Sequence, residues 1–172
     1  MLDNRECILD LIDENTVCAE IGVWKGGFSR RILKKNPKHL YLIDPWQHQD
    51  YNGRWYSIGQ MKMDVIYRKI NKEYSNLKNV TIIKDFSENV VFEENHFDLV
   101  YIDGNHSYKY VLKDLNHYYK FMKNNSYLTG DDYGWKDKYC QRGPAGAVKD
   151  FCKEKGLDFQ VIGKQFIIKI DK

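Results

Sequence analysis

The chain has no long apolar run, no paired-cysteine motif and no block of like charge, and each absence narrows what it can be. Nothing in it approaches the ~20 apolar residues that cross a bilayer, and Met1-Leu2-Asp3-Asn4-Arg5-Glu6 lacks the apolar core of a signal peptide. The expectation is a protein that neither spans a membrane nor is exported by that route. Its four cysteines, Cys7, Cys18, Cys140 and Cys152, show neither C-x-x-C spacing nor the density of a secreted mini-domain. Reduced thiols in a cytoplasmic protein follow. The 27 basic residues are nearly matched by 24 acidic ones, so the net charge of +3 gives little support for a polyanionic partner. The longest basic cluster, Arg30, Arg31, Lys34, Lys35 and Lys38, falls on a predicted amphipathic helix and reads as a solvated outer face, not a nucleic-acid site.

What is present describes a folded enzyme-sized domain. A length of 172 residues allows one well-buried core and is short for two, so residues 1–172 are expected to form a single domain. A hydrophobic fraction of 42% with 15% aromatics argues against disorder. An N-terminal helix is expected within residues 1–15, from the spacing of Leu2, Ile8, Leu9, Leu11 and Ile12. Residues 16–172 then alternate strand and helix. Thr16 to Gly22 reads as a buried strand, Gly27 to Asn36 as a helix closed by Pro37, and His39 to Asp44 as a strand stopped by Pro45. A loop from Gln47 to Ser57 precedes a helix marked by Met61, Val65, Tyr67, Ile70 and Tyr74. Val80 to Lys84 and Phe97 to Asp103 are strands. Helical spacing then runs from Val111 to about Asn124, Ser126 to Gly130 is a strand, and a helix opens near Pro144, where proline suits the first turn. Two last strands, Asp158 to Ile162 and Gln165 to Ile170, form a hairpin over Gly163-Lys164.

This order predicts an α/β fold: a doubly wound, mostly parallel seven-stranded sheet with helices on both faces and a C-terminal antiparallel hairpin. Ligands of such sheets bind beyond the carboxyl ends of the strands. Glu20, Asp44, Asp85, Asp103 and Asp131 all fall at or just past those ends, which gathers the acids on one edge. Glu20-Ile21-Gly22-Val23-Trp24-Lys25-Gly26-Gly27 joins the first strand to its helix. Gly22 and Gly26 allow close backbone approach to a ligand, and the helix start suits an anion. The spacing is G-x-x-x-G, not the G-x-G-x-x-G of dinucleotide-binding folds. Asp44 is placed to accept hydrogen bonds from ribose hydroxyls, and Asp85-Phe86-Ser87 to offer an adenine a stacking surface and a polar edge.

Together these residues resemble the class I S-adenosylmethionine-dependent methyltransferases, over essentially the whole chain. The most specific stretch is Phe97-Asp98-Leu99-Val100-Tyr101-Ile102-Asp103-Gly104-Asn105-His106-Ser107-Tyr108, followed by Gly130-Asp131-Asp132-Tyr133, which looks like the small branch carrying I-D-G-x-H-x-Y and a later G-D-D-Y. The resemblance implies a Rossmann-like methyltransferase fold. It implies that Glu20, Gly22 and Gly26 line the methionine part of S-adenosylmethionine, that Asp44 holds its ribose and that Asp85, Phe86 and Ser87 flank its adenine. The usual lysine-proline-glycine-glycine turn before the fifth strand is Lys123-Asn124-Asn125-Ser126 here.

Three carboxylates on adjacent strand ends, Asp103, Asp131 and Asp132, repel one another unless protonated or bridged by a cation. Mg²⁺ or another divalent cation on oxygen ligands is one resolution, and hydrogen bonding to backbone or substrate without metal is the other. Metal-dependent catechol-type O-methyltransferases are similar, with an amide where Asp132 stands. Those enzymes carry a lysine base at the spacing of His106, so His106, with Asp103, is the catalytic candidate, able to take a proton from an acceptor hydroxyl near neutral pH. The alternative for His106 is a helix cap or a substrate orienter. Trp46, Tyr51, Trp55, Tyr133 and Trp135 are candidates for an acceptor pocket, or for a loop packed on its own core.

The expected reaction is methyl transfer from S-adenosylmethionine to a hydroxyl-bearing small molecule, a sugar, phenol or natural-product intermediate, in a monomer or homodimer. A nucleotide-dependent oxidoreductase on a related fold and a methyltransferase-like binding protein without catalysis are the rival readings. No N-P-P-Y motif of amino-directed nucleic-acid methylation is present.

Overall fold

The computed structural model describes residues 4–49, 57–136 and 142–172. A short helix α1 (Glu6–Leu9) leads into β1 (Val17–Ile21), α2 (Gly27–Lys34), β2 (His39–Ile43), α3 (Gln60–Tyr74), β3 (Val80–Ile83), a single 3-10 turn, β4 (Phe97–Ile102), α4 (Tyr108–Tyr119), β5 (Met122–Gly130), α5 (Gly143–Lys155), β6 (Phe159–Ile162) and β7 (Gln165–Ile170). The strands form one sheet in the order β3-β2-β1-β4-β5-β7-β6. The first five are parallel, and β7 pairs antiparallel with both β5 and β6. The expected doubly wound sheet with its terminal hairpin is therefore present.

Side chains alternate across a strand, and here they sort into two cores. Ala19 and Ile21 of β1, Val100 and Ile102 of β4 and Leu128 of β5 pack with Val111, Leu115 and Tyr118 of α4 and Ala147, Val148 and Phe151 of α5. Cys18, Leu40, Leu42, Leu99 and Tyr101 point the other way. They meet Ile8 and Leu9 of α1, Phe28 and Ile32 of α2, and Ile66, Ile70 and Tyr74 of α3. Both faces of the sheet are covered, which is why its central strands read as nearly continuous apolar runs. No helix among the described residues is long and apolar enough to cross a membrane.

The basic residues of α2 are used to fasten helices to each other. Arg30 forms a two-pronged pair with Glu73 of α3 at 2.7 Å on both bonds, Arg31 reaches Glu6 at 2.7 Å and Lys35 reaches Asp10 at 3.1 Å. Two elements differ from expectation. α1 covers one turn only, because turns follow from Asp10 onward, although Ile8, Leu9 and Ile12 are buried as predicted; Leu2 lies outside the described residues. α4 ends at Tyr119, and Met122 belongs to β5. The Phe121 carbonyl accepts the amides of His96 and Phe97, which starts the β4–β5 pairing several residues early. Asn125 then adopts φ 56°, which places the asparagine of Lys123-Asn124-Asn125-Ser126 at the left-handed position of an irregular strand.

The chain runs outward from β1 to β3 and crosses back to β4, so the order of strands reverses between β1 and β4. Pairing continues one residue past several strand ends. Gly22 N–H donates to the Ile43 carbonyl at 2.9 Å, Asp44 to Ile83 at 3.2 Å, Asp103 to Ile21 at 2.7 Å and Asp131 to Ile102 at 3.1 Å. These bonds fix Asp44, Asp103 and Asp131 just beyond their strands along the edge where such sheets bind ligands.

Candidate functional site

Gly22 turns the chain out of β1 with φ 89°, and a Cβ there would lie 2.4 Å from the Asp103 carbonyl oxygen. A side chain is therefore excluded by the neighbouring β4 backbone as well as by φ. Gly26 caps α2 at φ 70°, and its missing Cβ would lie 2.8 Å from Ile70 Cδ1. Both glycines permit close packing of this protein on itself. Between them, Trp24 takes a left-handed φ of 53°, as do Trp46 at 40° and Asp132 at 51°. Bulky residues in this region mark strain held by their surroundings, and here all three border one edge.

Asp44 holds the first two in place. One carboxylate oxygen accepts the Trp24 N–H at 2.9 Å and the other the Trp46 N–H at 2.6 Å, while the Trp46 indole donates to the Trp24 carbonyl at 3.0 Å. Burial raises Asp44 above the ordinary carboxylate range, against these bonds. Trp46 is fully buried in the α1–α3 core. Its ring is therefore packed in the core, the second of the two readings for this residue. Tyr51 and Trp55 lie outside the described residues.

Glu20 is 1% exposed and accepts a hydrogen bond from Ser29 Oγ. Among the described residues it pairs with no basic side chain, and burial pushes it up to about 8. On the far side, Asp85 is exposed and accepts from Phe86 N–H at 2.7 Å and Asn89 Nδ2 at 2.8 Å. Ser87 turns its hydroxyl to Asp114 of α4 at 2.6 Å, and burial pushes Asp114 up to about 7. A cavity of about 380 Å³ lies at the ends of β2 and β3, lined by Pro45, Trp46, Gln47, Gln60 and Lys84. A second of about 350 Å³ is lined by Trp24, Lys25, Ile58, Lys62, Val65 and Ile66. Neither is lined by Asp103.

Asp103, Asp131, Asp132 and His106 do come together. His106 Nε2 lies 3.5 Å from Asp132 and 3.9 Å from Asp103, and its ring centroid is 6.1 Å from that of Trp135. Arg5, which sequence reasoning passed over, donates through Nη2 to Asp103 Oδ2 at 3.0 Å and also to Asp131 Oδ2. Gln165 donates to the other Asp131 oxygen at 2.6 Å and accepts from the Tyr101 hydroxyl at 2.8 Å. Lys164 is 3.4 Å from Asp132. Burial would raise Asp131, but the hydrogen bond and charge of Arg5 outweigh it and hold the carboxylate low. Asp103 is pushed up to about 8 by burial, with Arg5 opposing. Burial likewise lowers His106, while Asp132 and Asp131 pull the other way. The imidazole is thus neutral at neutral pH and free to accept a proton.

No group of three or more His, Cys, Asp or Glu among the described residues is disposed to hold a metal ion. The repulsion expected between Asp103 and Asp131 is met by the shared Arg5 guanidinium and by burial, which favours the protonated form of Asp103. His39, His48 and His117 bond to Thr81, the Ile58 carbonyl and the Val90 carbonyl, away from this cluster.

The model of a family described as a methyltransferase domain matches residues 19–133, from β1 through the acidic pair. The chain belongs to the methyltransferase-domain family. A curated relative, the uncharacterized protein R132 of Acanthamoeba polyphaga mimivirus, is 32% identical over 123 residues, 66% of this chain and 50% of the relative. The methyltransferase domain thus spans half the length of that relative. Among solved structures it is similar to the N-methyltransferase NodS from Bradyrhizobium japonicum, with TM-score 0.68, 13% identity and coverage of 99% of this chain and 96% of that one. A Streptococcus mutans protein, SMU.1697c, solved in complex with SAH, gives TM-score 0.63 at 14% identity and 99% coverage of both chains. An O-methyltransferase family protein from Burkholderia thailandensis gives 0.63 at 12% identity, covering 98% of the domain and 56% of that chain. At these identities the likeness is one of fold.

Proposed function

We propose that this domain binds S-adenosylmethionine across the ends of β1, β2 and β3 and directs its methyl group to the oxygen of a small hydroxyl-bearing acceptor at Asp103, His106 and Asp132. The observation that carries the reading is Glu20, a buried carboxyl that burial pushes up to about 8 against both its Ser29 hydrogen bond and the charge of Arg5. A ligand ammonium beside it would favour the ionised carboxylate that burial disfavours, and the amino group of the cofactor's methionine is such an ammonium. Asp44 accepts the Trp24 and Trp46 amides on different oxygens, with the Val23 amide also acting on it, and the remaining lone pair is available to a ribose hydroxyl. The cavity lined by Pro45 and Lys84 is bounded by the chain neighbours of Asp44 and Asp85 and is the space this reading gives to the adenosine part. Ser87, engaged with Asp114, contributes its loop position rather than its hydroxyl.

When bound, S-adenosylmethionine supplies a sulfonium-activated methyl group. His106 Nε2 takes the proton of the acceptor hydroxyl as the oxygen–carbon bond forms and the sulfur–carbon bond breaks, and Asp132 steadies the imidazolium that results. The domain adds alignment of the two reactants. No step is routed through a metal, because Arg5 already occupies the facing oxygens of Asp103 and Asp131.

Methyl-labelled cofactor offered with a panel of phenols and sugars tests this. Label on acceptor oxygen is expected, with turnover in His106→Ala reduced by about 10²- to 10⁴-fold and cofactor affinity little changed. Label recovered on acceptor nitrogen, or full activity in His106→Ala, overturns the oxygen-directed assignment.

A further inference from the structure

We propose that Arg5 is the resident cation of the acidic edge, a positioning residue that sets Asp103 and Asp131 in place of a divalent metal and leaves Asp132 to serve His106. The inference rests on the reading of this edge as the acceptor side of the reaction. Its geometric basis is a single Nη2 shared between carboxylates of β4 and β5 that would otherwise repel. A guanidinium suits this task, since it is planar, always charged and carries five donors in a fixed fork.

The head is built in from several sides. Its carbon lies 5.3 Å from the Phe28 ring centroid and 5.9 Å from that of Tyr101, and with those centroids 4.3 Å apart the two rings form one aromatic wall beside it. The backbone behind it is tied to α2 through Glu6–Arg31 and Asp10–Lys35. Asp131 has no facing oxygen to spare, with Arg5 on Oδ2 and Gln165 Nε2 and the Asp132 N–H, at 2.6 and 2.7 Å, on Oδ1. A Ca²⁺ ion asks for six to eight oxygen ligands and Mg²⁺ for a near-ideal octahedron. Neither can share these oxygens with a guanidinium without repelling it. Asp132 points elsewhere, to His106 and Lys164. One side chain thus separates the two jobs of the cluster, the setting of Asp103 and Asp131 by Arg5 and support of the base at Asp132.

The test is Mn²⁺ binding followed by electron paramagnetic resonance on the full chain, with Asp131→Asn as the reference for this site. The chain with Arg5 is expected to show no Asp131-dependent Mn²⁺ binding at millimolar metal. Tight Mn²⁺ binding that Asp131→Asn abolishes overturns the proposal, because the metal then displaces Arg5. This arm needs no turnover, so it stands or falls separately from the methyl-transfer reading. In the second arm Arg5→Gln is expected to lower kcat at least about tenfold, equivalent to ~1.4 kcal/mol, and to shift its pH profile, with KM for cofactor little changed and partial rescue in Arg5→Lys. An unchanged kcat and pH profile in Arg5→Gln, in protein shown to be folded by circular dichroism, also overturns it.

Discussion

Glu20 connects the stability of the cofactor-free domain to its ligand. Its pKa stands at about 8 in the folded chain, against about 4.3 for an unperturbed glutamate. The folded state therefore binds this proton more tightly than the unfolded state does. The stability that Glu20 contributes is complete below about pH 4, declines as pH rises and is lost through about pH 8. Replacement by Gln removes the proton and keeps the shape. Thermal unfolding of Glu20→Gln between pH 5 and 8 is expected to show a flatter Tm profile than the parent; parallel profiles contradict the assignment. At Asp44 the consequence is structural, since Asp44→Ala strips acceptors from two loop N–H groups. A loss of about 1–3 kcal/mol per unsatisfied group should appear in denaturant unfolding without any cofactor. The acids at strand ends were legible in the sequence because each follows an apolar run that can only be a buried strand. Arg5, Lys164, Gln165 and Asp114 were not, because each acquires its partner through tertiary contact across a long stretch of chain. Arg5 in particular lies within the expected N-terminal helix, whose apolar spacing places Ile8 and Leu9 in the core but says nothing of which acids a polar neighbour reaches.

Among the elements, the turn after β1 sets the tightest constraint. Gly22 combines a left-handed φ with a Cβ position 2.4 Å from the Asp103 carbonyl, whereas Gly27, five residues on, has open space at its Cβ position. Gly22→Ala is expected to cost more than about 1–3 kcal/mol, the usual range for strain at such φ alone. Gly27→Ala should be neutral or stabilising by up to about 1 kcal/mol. Equal unfolding midpoints for the two variants would show that the β1–β4 approach is not tight. The same scale explains where sequence patterning failed. Met122 continues the helical spacing of α4, yet the Phe121 carbonyl is claimed by the His96 and Phe97 amides, and sheet pairing prevails. At Trp46 patterning left two readings open, acceptor pocket or core-packed loop, and the indole's bond to the Trp24 carbonyl goes with the second. Periodicity reports which faces are apolar; it does not report which carbonyl captures which amide.

At the scale of the whole molecule, the doubly wound order brings the carboxyl ends of five parallel strands to one edge and places the reversal of strand order between Glu20 and Asp103. The proposed cofactor side and the proposed acceptor side are thereby adjacent, separated by the Gly22 turn. The family match spans this same region. Calorimetric titration of the folded domain with S-adenosylhomocysteine tests the central claim most directly. Saturable one-to-one binding is predicted, weakened about tenfold or more, ~1.4 kcal/mol, in Glu20→Gln. Absence of binding, or equal affinity in the parent and Glu20→Gln, would contradict it.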